Sequence, residues 1–398
     1  LMLSTEALIG VVGGWLVFWF IWPLASSAAG LLPTYTPRGL GYDVWYTLWR
    51  PNKTYNANLI TVAIGFIVGL AVIPLWRNRS TLMPILKLWK EPAPEVDPAR
   101  PIPYRMVWFG LIGCVVLTLA MGAVAQVMPL PLLVSLIVMT FVAVGLLRIY
   151  AETGGLWGVF DTMNYHPMPA ALATALVMAT LFKDVMWSHG ADPTFSMAVT
   201  VAFLGPCLVS GGLYKIFHAG AITSMGSFKL GSMTRTDSKD VAKSVAIALG
   251  LGIAVATIMY YVWMHFVGVS TKWGYFKGAD SAASWYASYS WLFAKGDAAG
   301  EWIGNIASVG GVPPPGVDYV VKFIIGFAVT IIVVFMRGRF TWFRISAAGI
   351  ALGCMFGREI WSPFLVALVI KYLTTTLGGV KLYTEKLRPL SVGFIAGY

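Results

Sequence analysis

A chain of 398 residues with 58% hydrophobic and only 11% charged side chains is not an ordinary soluble domain, which carries roughly twice that charged fraction. A net charge of +11 would suggest nucleic acid in a soluble chain. Here the basic residues sit in connections between apolar runs, so no nucleic-acid partner is expected and contact with an anionic leaflet accounts for them. The runs are too long and too weakly alternating for barrel strands, and the expected class is an all-α, polytopic transmembrane bundle with broken or re-entrant helices. Cys114, Cys207 and Cys354 all fall inside apolar runs and read as small buried hydrophobes.

In chain order, the first spans are expected at residues 3–22, closed by Pro23, and at 59–76. Each carries a GxxxG, at Gly10/Gly14 and Gly65/Gly69. The spacing returns at Gly349/Gly353, Gly353/Gly357 and Gly393/Gly397. Small residues at that interval let helix backbones approach closely. Residues 1–76 therefore read as the first membrane helices and 77–105 as a cytoplasmic linker. Five prolines between positions 92 and 103 favour an extended chain there.

Residues 106–268 form a central bundle, with spans at 106–127, 130–147 and 169–187. A further apolar run at 201–213 contains Pro206, and another follows at 241–267. Between these two runs lies GLYKIFHAGAITSMGSFKLGSMTRTDSKD, a cationic, Gly-rich segment with Lys215, His218, Lys229 and Arg235. Irregular backbone beside broken helices is the expectation there, with Lys229 at a break. An ordinary basic loop is the competing reading. Asp237 is a good N-cap for the run that follows, with Asp240 at the positive end of the helix dipole. Residues 269–316 read as an aromatic external loop, and 317–398 as a carboxy-terminal membrane region with a span at 319–336. The final run, LSVGFIAGY, is short for a span, which suggests a piece of a longer polypeptide.

Residues 345–376 are the most constrained stretch. Basic segments at 337–344 and 371–388 flank it, and both favour the cytoplasmic side. One span fits the length between them, yet one straight helix cannot return to the side it left. Gly357, Ser362 and Pro363 supply freedom for a break. Two half-spanning helices meeting near Arg358 satisfy these constraints. One tilted helix that violates the charge rule once is the alternative.

The candidate site residues are Arg148, Glu152, Asp161, His166, Lys229, Arg358 and Glu359. Arg148 and Glu152 are one helical turn apart and can pair directly or share a partner. Asp161, Asn164 and His166 form a short polar segment that could bind a cation or relay protons, or simply bridge two helices. Arg358 and Glu359 are ionisable groups in mid-run, which face a cavity or a partner when they lie at membrane depth. The four histidines show no metal-ligand spacing, so neither metal nor cofactor is expected. No phosphate loop, nucleophile elbow or dinucleotide fingerprint occurs, and no enzyme is expected.

RIYAETGG (148–155) resembles the R-x-x-AE-x-G segment of a prokaryotic membrane-protein family of unknown function, distantly related to the oligopeptide transporters. FKLGSMTRTDSKDVAKSVAIALG resembles the K-L-G segment before a span in those transporters. MRGRFTWFRISAAGIALG and VIKYLTTTLGGVKLYTEKLRPLSVGFIAG resemble the family's carboxy-terminal region. By this resemblance Arg148, Glu152, Lys229 and Gly231 occupy motif positions. It implies a multi-pass protein of a prokaryotic cell membrane that acts as a secondary transporter of peptides or metal chelates, coupled to protons. Coupling through Glu152 or Glu359 would be expected. Its partners would be the lipid bilayer and a small solute. A non-catalytic subunit of a larger membrane complex, or of a homo-oligomer, is the rival reading.

Overall fold

The computed structural model describes residues 3–29, 59–80, 104–124, 127–153, 212–266 and 317–397. Every regular element among the described residues is helical. Six helices among the described residues are long and apolar enough to cross a membrane, by length and composition. The expected spans at 169–187 and 201–213 lie wholly or largely outside the described residues. So do most of the linker, the aromatic loop at 269–316, Asp161, Asn164 and His166.

The chain divides into two compact units. The first gathers Leu1–Pro74, Val138–Leu176 and Ile303–Tyr398, so both ends of the chain pack together. Its first helix, α1, runs over Thr5–Trp15, passes through a π-helical stretch at Leu16–Ile21 and resumes over Trp22–Ala28. Pro23 was expected to close it. The wider turn just before the proline instead lets the helix continue past a residue with no N–H to donate. Ser4 caps the start, its hydroxyl accepting from the Ala7 N–H at 3.2 Å.

Helix α2 (Ile60–Arg77) is the hub of this unit, with Phe66, Ile67 and Leu70 fully buried. Phe66 meets Phe18 of α1 edge to face, with ring centroids 5.6 Å apart. Gly145, on the helix spanning Pro129–Thr153, sits directly against the Ile67 carbonyl. Gly65 and Gly326 touch backbone to backbone: a methyl group on Gly65 would lie 3.1 Å from Gly326 Cα. Gly326 belongs to the helix Val317–Arg339, which runs parallel to α2, since Gly69 then meets Thr330 one turn further on. Both helices carry arginine in their last turn.

With α3 (Tyr104–Val124) preceding it, the Pro129–Thr153 helix is α4. It extends six residues past its expected end, so that RIYAET is helical. The second unit, Leu75–Ile137 and Val177–Trp302, contains α3 and the first turns of α4, with Leu132 packed on Gly122. It also contains α5 (Gly212–Thr234) and α6 (Ser238–Phe266). The cationic segment is thus not irregular: α5 is a regular helix. Lys229 lies within it, exposed and away from any break. Its serines and threonines stay helical because their hydroxyls bond back to carbonyls one turn earlier, as Ser224 does to Gly220 at 2.6 Å. Asp237 caps α6 as expected, accepting from the Lys239 N–H at 3.0 Å.

Helix α7 is Val317–Arg339, and α8 is Ala347–Leu377, helical at every residue with Pro363 inside. Straight, 31 residues would extend about 45 Å. The contacts of α8 forbid this. At its start, the Ser346 N–H donates to the Glu6 carbonyl at 3.3 Å. Near its end, Lys371 Nζ donates to the Leu3 carbonyl at 2.5 Å. Residues 346 and 371 would stand about 37 Å apart on a straight helix. Here both reach the first turn of α1, and α8 therefore doubles back.

Along the first arm Gly349 meets Gly10, Gly353 meets Gly14 and Gly357 meets Trp15, so this arm runs parallel to α1. Trp361 stacks on the same Trp15, with centroids 4.4 Å apart, and the second arm returns to Leu3. The reversal lies between Gly357 and Trp361, where two half-helices meeting near Arg358 were expected. Pro363 then falls in the first turn of the second arm, where its missing N–H has no intrahelical acceptor to lose. The Cys354 carbonyl, at the end of the first arm, accepts from the Trp19 indole at 2.9 Å. After Gly378 and Gly379, the latter left-handed at φ +71, a last helical stretch begins at Gly379–Leu382. It passes a π-turn at Tyr383–Leu387 and ends as Arg388–Gly397.

Two outcomes follow. Cysteines placed at Leu3 and Lys371 will join through a short cross-linker, which a straight α8 would not permit. Gly353→Ala, whose methyl would overlap the Val11 carbonyl and lie 3.0 Å from Gly14 Cα, will cost about 1–3 kcal/mol in detergent unfolding. Gly13→Ala, with open space around it, will be near neutral.

Candidate functional site

One end of the first unit collects four charges from three helix ends and a hydroxyl from a fourth. Arg148 and Glu152 stand in the last two turns of α4, and Arg337 in the last turn of α7. Glu6 lies in the first turn of α1, and Ser346 is the N-cap of α8. The α1–α8 glycine contact sets this arrangement, because it brings the Ser346 N–H to the Glu6 carbonyl.

Glu152 is the centre. Its Oε1 accepts from Arg148 Nε at 2.9 Å, the pairing expected from their spacing. Its Oε2 accepts from the Ser346 hydroxyl at 2.8 Å and from an Arg337 terminal nitrogen at 3.3 Å. The other terminal nitrogen of Arg337 donates to the Glu6 carboxylate. Arg148, Glu152, Arg337 and Glu6 thus alternate in sign and sum to zero. The Ser346 hydroxyl also accepts from the Gly349 N–H at 3.2 Å, so one buried group caps a helix and holds a carboxylate.

Dipole geometry favours most of this arrangement. Glu6 sits at a helix start and Arg337 at a helix end, each matched to its macrodipole. Glu152 sits at the wrong end of its own helix. Two arginines and the start of α8 offset that mismatch. The Glu152 side chain is 21% exposed, whereas Arg148, Arg337 and Glu6 are near 40%. Ion pairs at such exposure contribute about 0–1 kcal/mol each. Their stronger effect is to hold four helix ends in register.

The bend in α8 is the second element. About ten residues separate it from the start of α1, close to 15 Å along that helix. The stacked Trp15–Trp361 pair and the Trp19–Cys354 bond surround it. The backbone of Arg358 and Glu359 lies at this reversal. Lys229 belongs to the other unit. Among the described residues no group of three or more His, Cys, Asp or Glu side chains could hold a metal ion.

Glu6, Arg337, Ser346 and Lys371 were missed from sequence. Arg337 was absorbed into a basic run that orientation alone explained. Ser346 precedes an Ala-Ala-Gly helix start and was open to reading as an N-cap. Lys371 is buried despite its charge, with its ammonium 4.8 Å over the Tyr383 ring as well as on the Leu3 carbonyl.

Replacing Arg337 with Ala strips a donor from two carboxylates at once and will destabilise more than Glu6→Gln. In a double-mutant cycle, Arg337 and Glu152 will show coupling of about 0.5–1 kcal/mol, measured by thermal unfolding in detergent. Ser346→Ala removes both a cap and a Glu152 donor and will cost about 1–2 kcal/mol.

None of the curated proteins matches the chain, and no solved structure does. A family of unknown function, DUF6785, matches residues 18–398. The match takes in α8, Arg148, Glu152 and Arg337, and the chain belongs to that family.

Proposed function

We propose that this protein is a multi-pass membrane transporter of the oligopeptide-transporter type, carrying a peptide or metal-chelate-like solute by proton-coupled secondary transport. The observation that carries this reading is the reversal of α8. If α1 crosses the bilayer, a bend about 15 Å along it falls near the middle of a hydrocarbon core about 30 Å thick. Two half-helix ends meeting at that depth bring unsatisfied carbonyls and N–H groups together, which is how secondary transporters build solute and ion sites. The Trp15–Trp361 stack supplies an apolar wall beside them. On this reading α8 is a re-entrant hairpin, and its return puts the basic stretches 337–344 and 381–388 on one side, in keeping with the charge rule. Arg358 and Glu359 are then the candidate solute and proton residues. The Arg148–Glu152–Arg337–Glu6 chain closes the bundle at the cytoplasmic end.

The rival reading, a non-transporting subunit of a membrane assembly, finds its support in α6. Along Ser238–Met259 that helix buries Val241 but leaves Ile247, Leu251, Ile253, Val255 and Ile258 exposed, a surface that a partner helix could cover as well as lipid.

Purified protein in liposomes, tested with a peptide library and an imposed pH gradient, will show gradient-driven uptake. Glu152→Gln and Glu359→Gln, alone and together, will identify the coupling residue by loss of the gradient's effect. Unchanged coupling in the double variant excludes both carboxylates, and no uptake by the parent protein favours the subunit reading. Single cysteines at Thr341 and Thr384 will react with an impermeant reagent from the same side. Reaction from opposite sides would rule out the re-entrant arrangement.

A further inference from the structure

We propose that the turn between α5 and α6 is a binding site for the phosphate groups of anionic phospholipid, with Arg235 as its main contact and Lys239 beside it. The inference rests on the membrane reading above, but not on transport.

The turn is built in an unusual way. Helix α5 ends with the Thr236 N–H donating back to the Gly231 carbonyl at 2.9 Å, a closure that needs a left-handed residue just past the helix. Glycine suits that position best. This chain places Arg235 there, at φ 58, the one non-glycine with positive φ among the described residues. Holding an arginine left-handed costs about 1–2 kcal/mol that glycine would not. The side chain is spent on no internal contact: among the described residues no carboxylate pairs with Arg235 or Lys239, and both are exposed.

Two acids lie nearby, and among the described residues neither forms an ion pair with Arg235 or Lys239. Asp237 is engaged as the α6 cap, accepting the Lys239 N–H. Asp240 makes only a long contact, 3.5 Å, with Lys243. The turn is rigid, since Gly231 packs on Val241 and the Thr234 and Thr236 hydroxyls bond at 2.8 Å. Its helices present apolar side chains outward, among them Leu230, Met233, Ile247 and Leu251. An exposed guanidinium and ammonium, held in no ion pair among the described residues at the end of an apolar, uncovered helix pair, match an anionic headgroup above acyl chains. Each basic group near such a surface strengthens binding about fivefold.

The test uses the full chain in detergent, titrated with phosphatidylglycerol, with phosphatidylcholine or with inorganic phosphate, and follows thermal unfolding. Phosphatidylglycerol alone will raise the unfolding temperature. Arg235→Gly will unfold at a higher temperature than the parent without lipid, because it relieves the left-handed strain. Its apparent affinity for phosphatidylglycerol will nevertheless be about fivefold weaker. Lys239→Gln will weaken that affinity without the gain in stability. Equal phosphatidylglycerol affinity in parent and Arg235→Gly protein overturns the proposal, as does an equal effect of phosphatidylcholine. A shift produced by inorganic phosphate would assign the turn to a soluble anion instead. Recovery of the chain in the water-soluble fraction would overturn the membrane reading itself, and the proposal with it.

Discussion

The first unit depends on backbone contact between α1 and the first arm of α8. Gly10, Gly14, Gly349 and Gly353 leave no side chain between the two helices, and a methyl group at any of them would meet main-chain atoms within about 3 Å. Lipid competes poorly for such a seam, because dispersion and close packing rather than water exclusion hold apolar helices together in a bilayer. The seam fixes the register of α1 on α8, and that register puts Glu6 next to Ser346. The reversal then follows from space as much as from Gly357. With α1 occupying one side of the first arm, the second arm finds on α1 a surface long enough to return along.

The ionic chain at the base is better understood as alignment than as stability. Its members are partly wet, and each pair contributes little. Glu152 nonetheless takes three donors from three different helix ends, and Arg337 spans two carboxylates. Four helices could slide along one another at little cost in apolar burial, and a directional, charge-alternating set of bonds resists that slip. Lys371 performs the same task on the second arm, pinning it to the start of α1.

The described helices were legible because apolar runs of span length and proline punctuation report on the backbone directly. The Arg148–Glu152 pair was legible because helical spacing alone sets it. The reversal in α8 was also within reach, since two basic flanks and one span of length admit few solutions. Three things were not legible. The Gly-rich α5 stretch reads as irregular by composition, but its hydroxyl residues bond to their own helix and keep it regular. Pro23 reads as a terminator, but a π-helical stretch just before it absorbs the mismatch. The partners of Glu152 lie 185 and 194 residues away, at Arg337 and Ser346, and no local spacing encodes a meeting of four helix ends.

The separation of those contacts along the chain bears on biosynthesis. Arg337 lies 331 residues after Glu6, and Lys371 lies 368 after Leu3. At about 5–20 residues per second, α1 waits roughly 20–70 seconds for the segments that grip it. During that interval its glycine stripe faces no partner, and Glu6 lacks Arg337. A ribosome stalled before α8 would leave α1 without its glycine seam. Such a product is a natural substrate for membrane quality control, so loss of α8 should lower abundance.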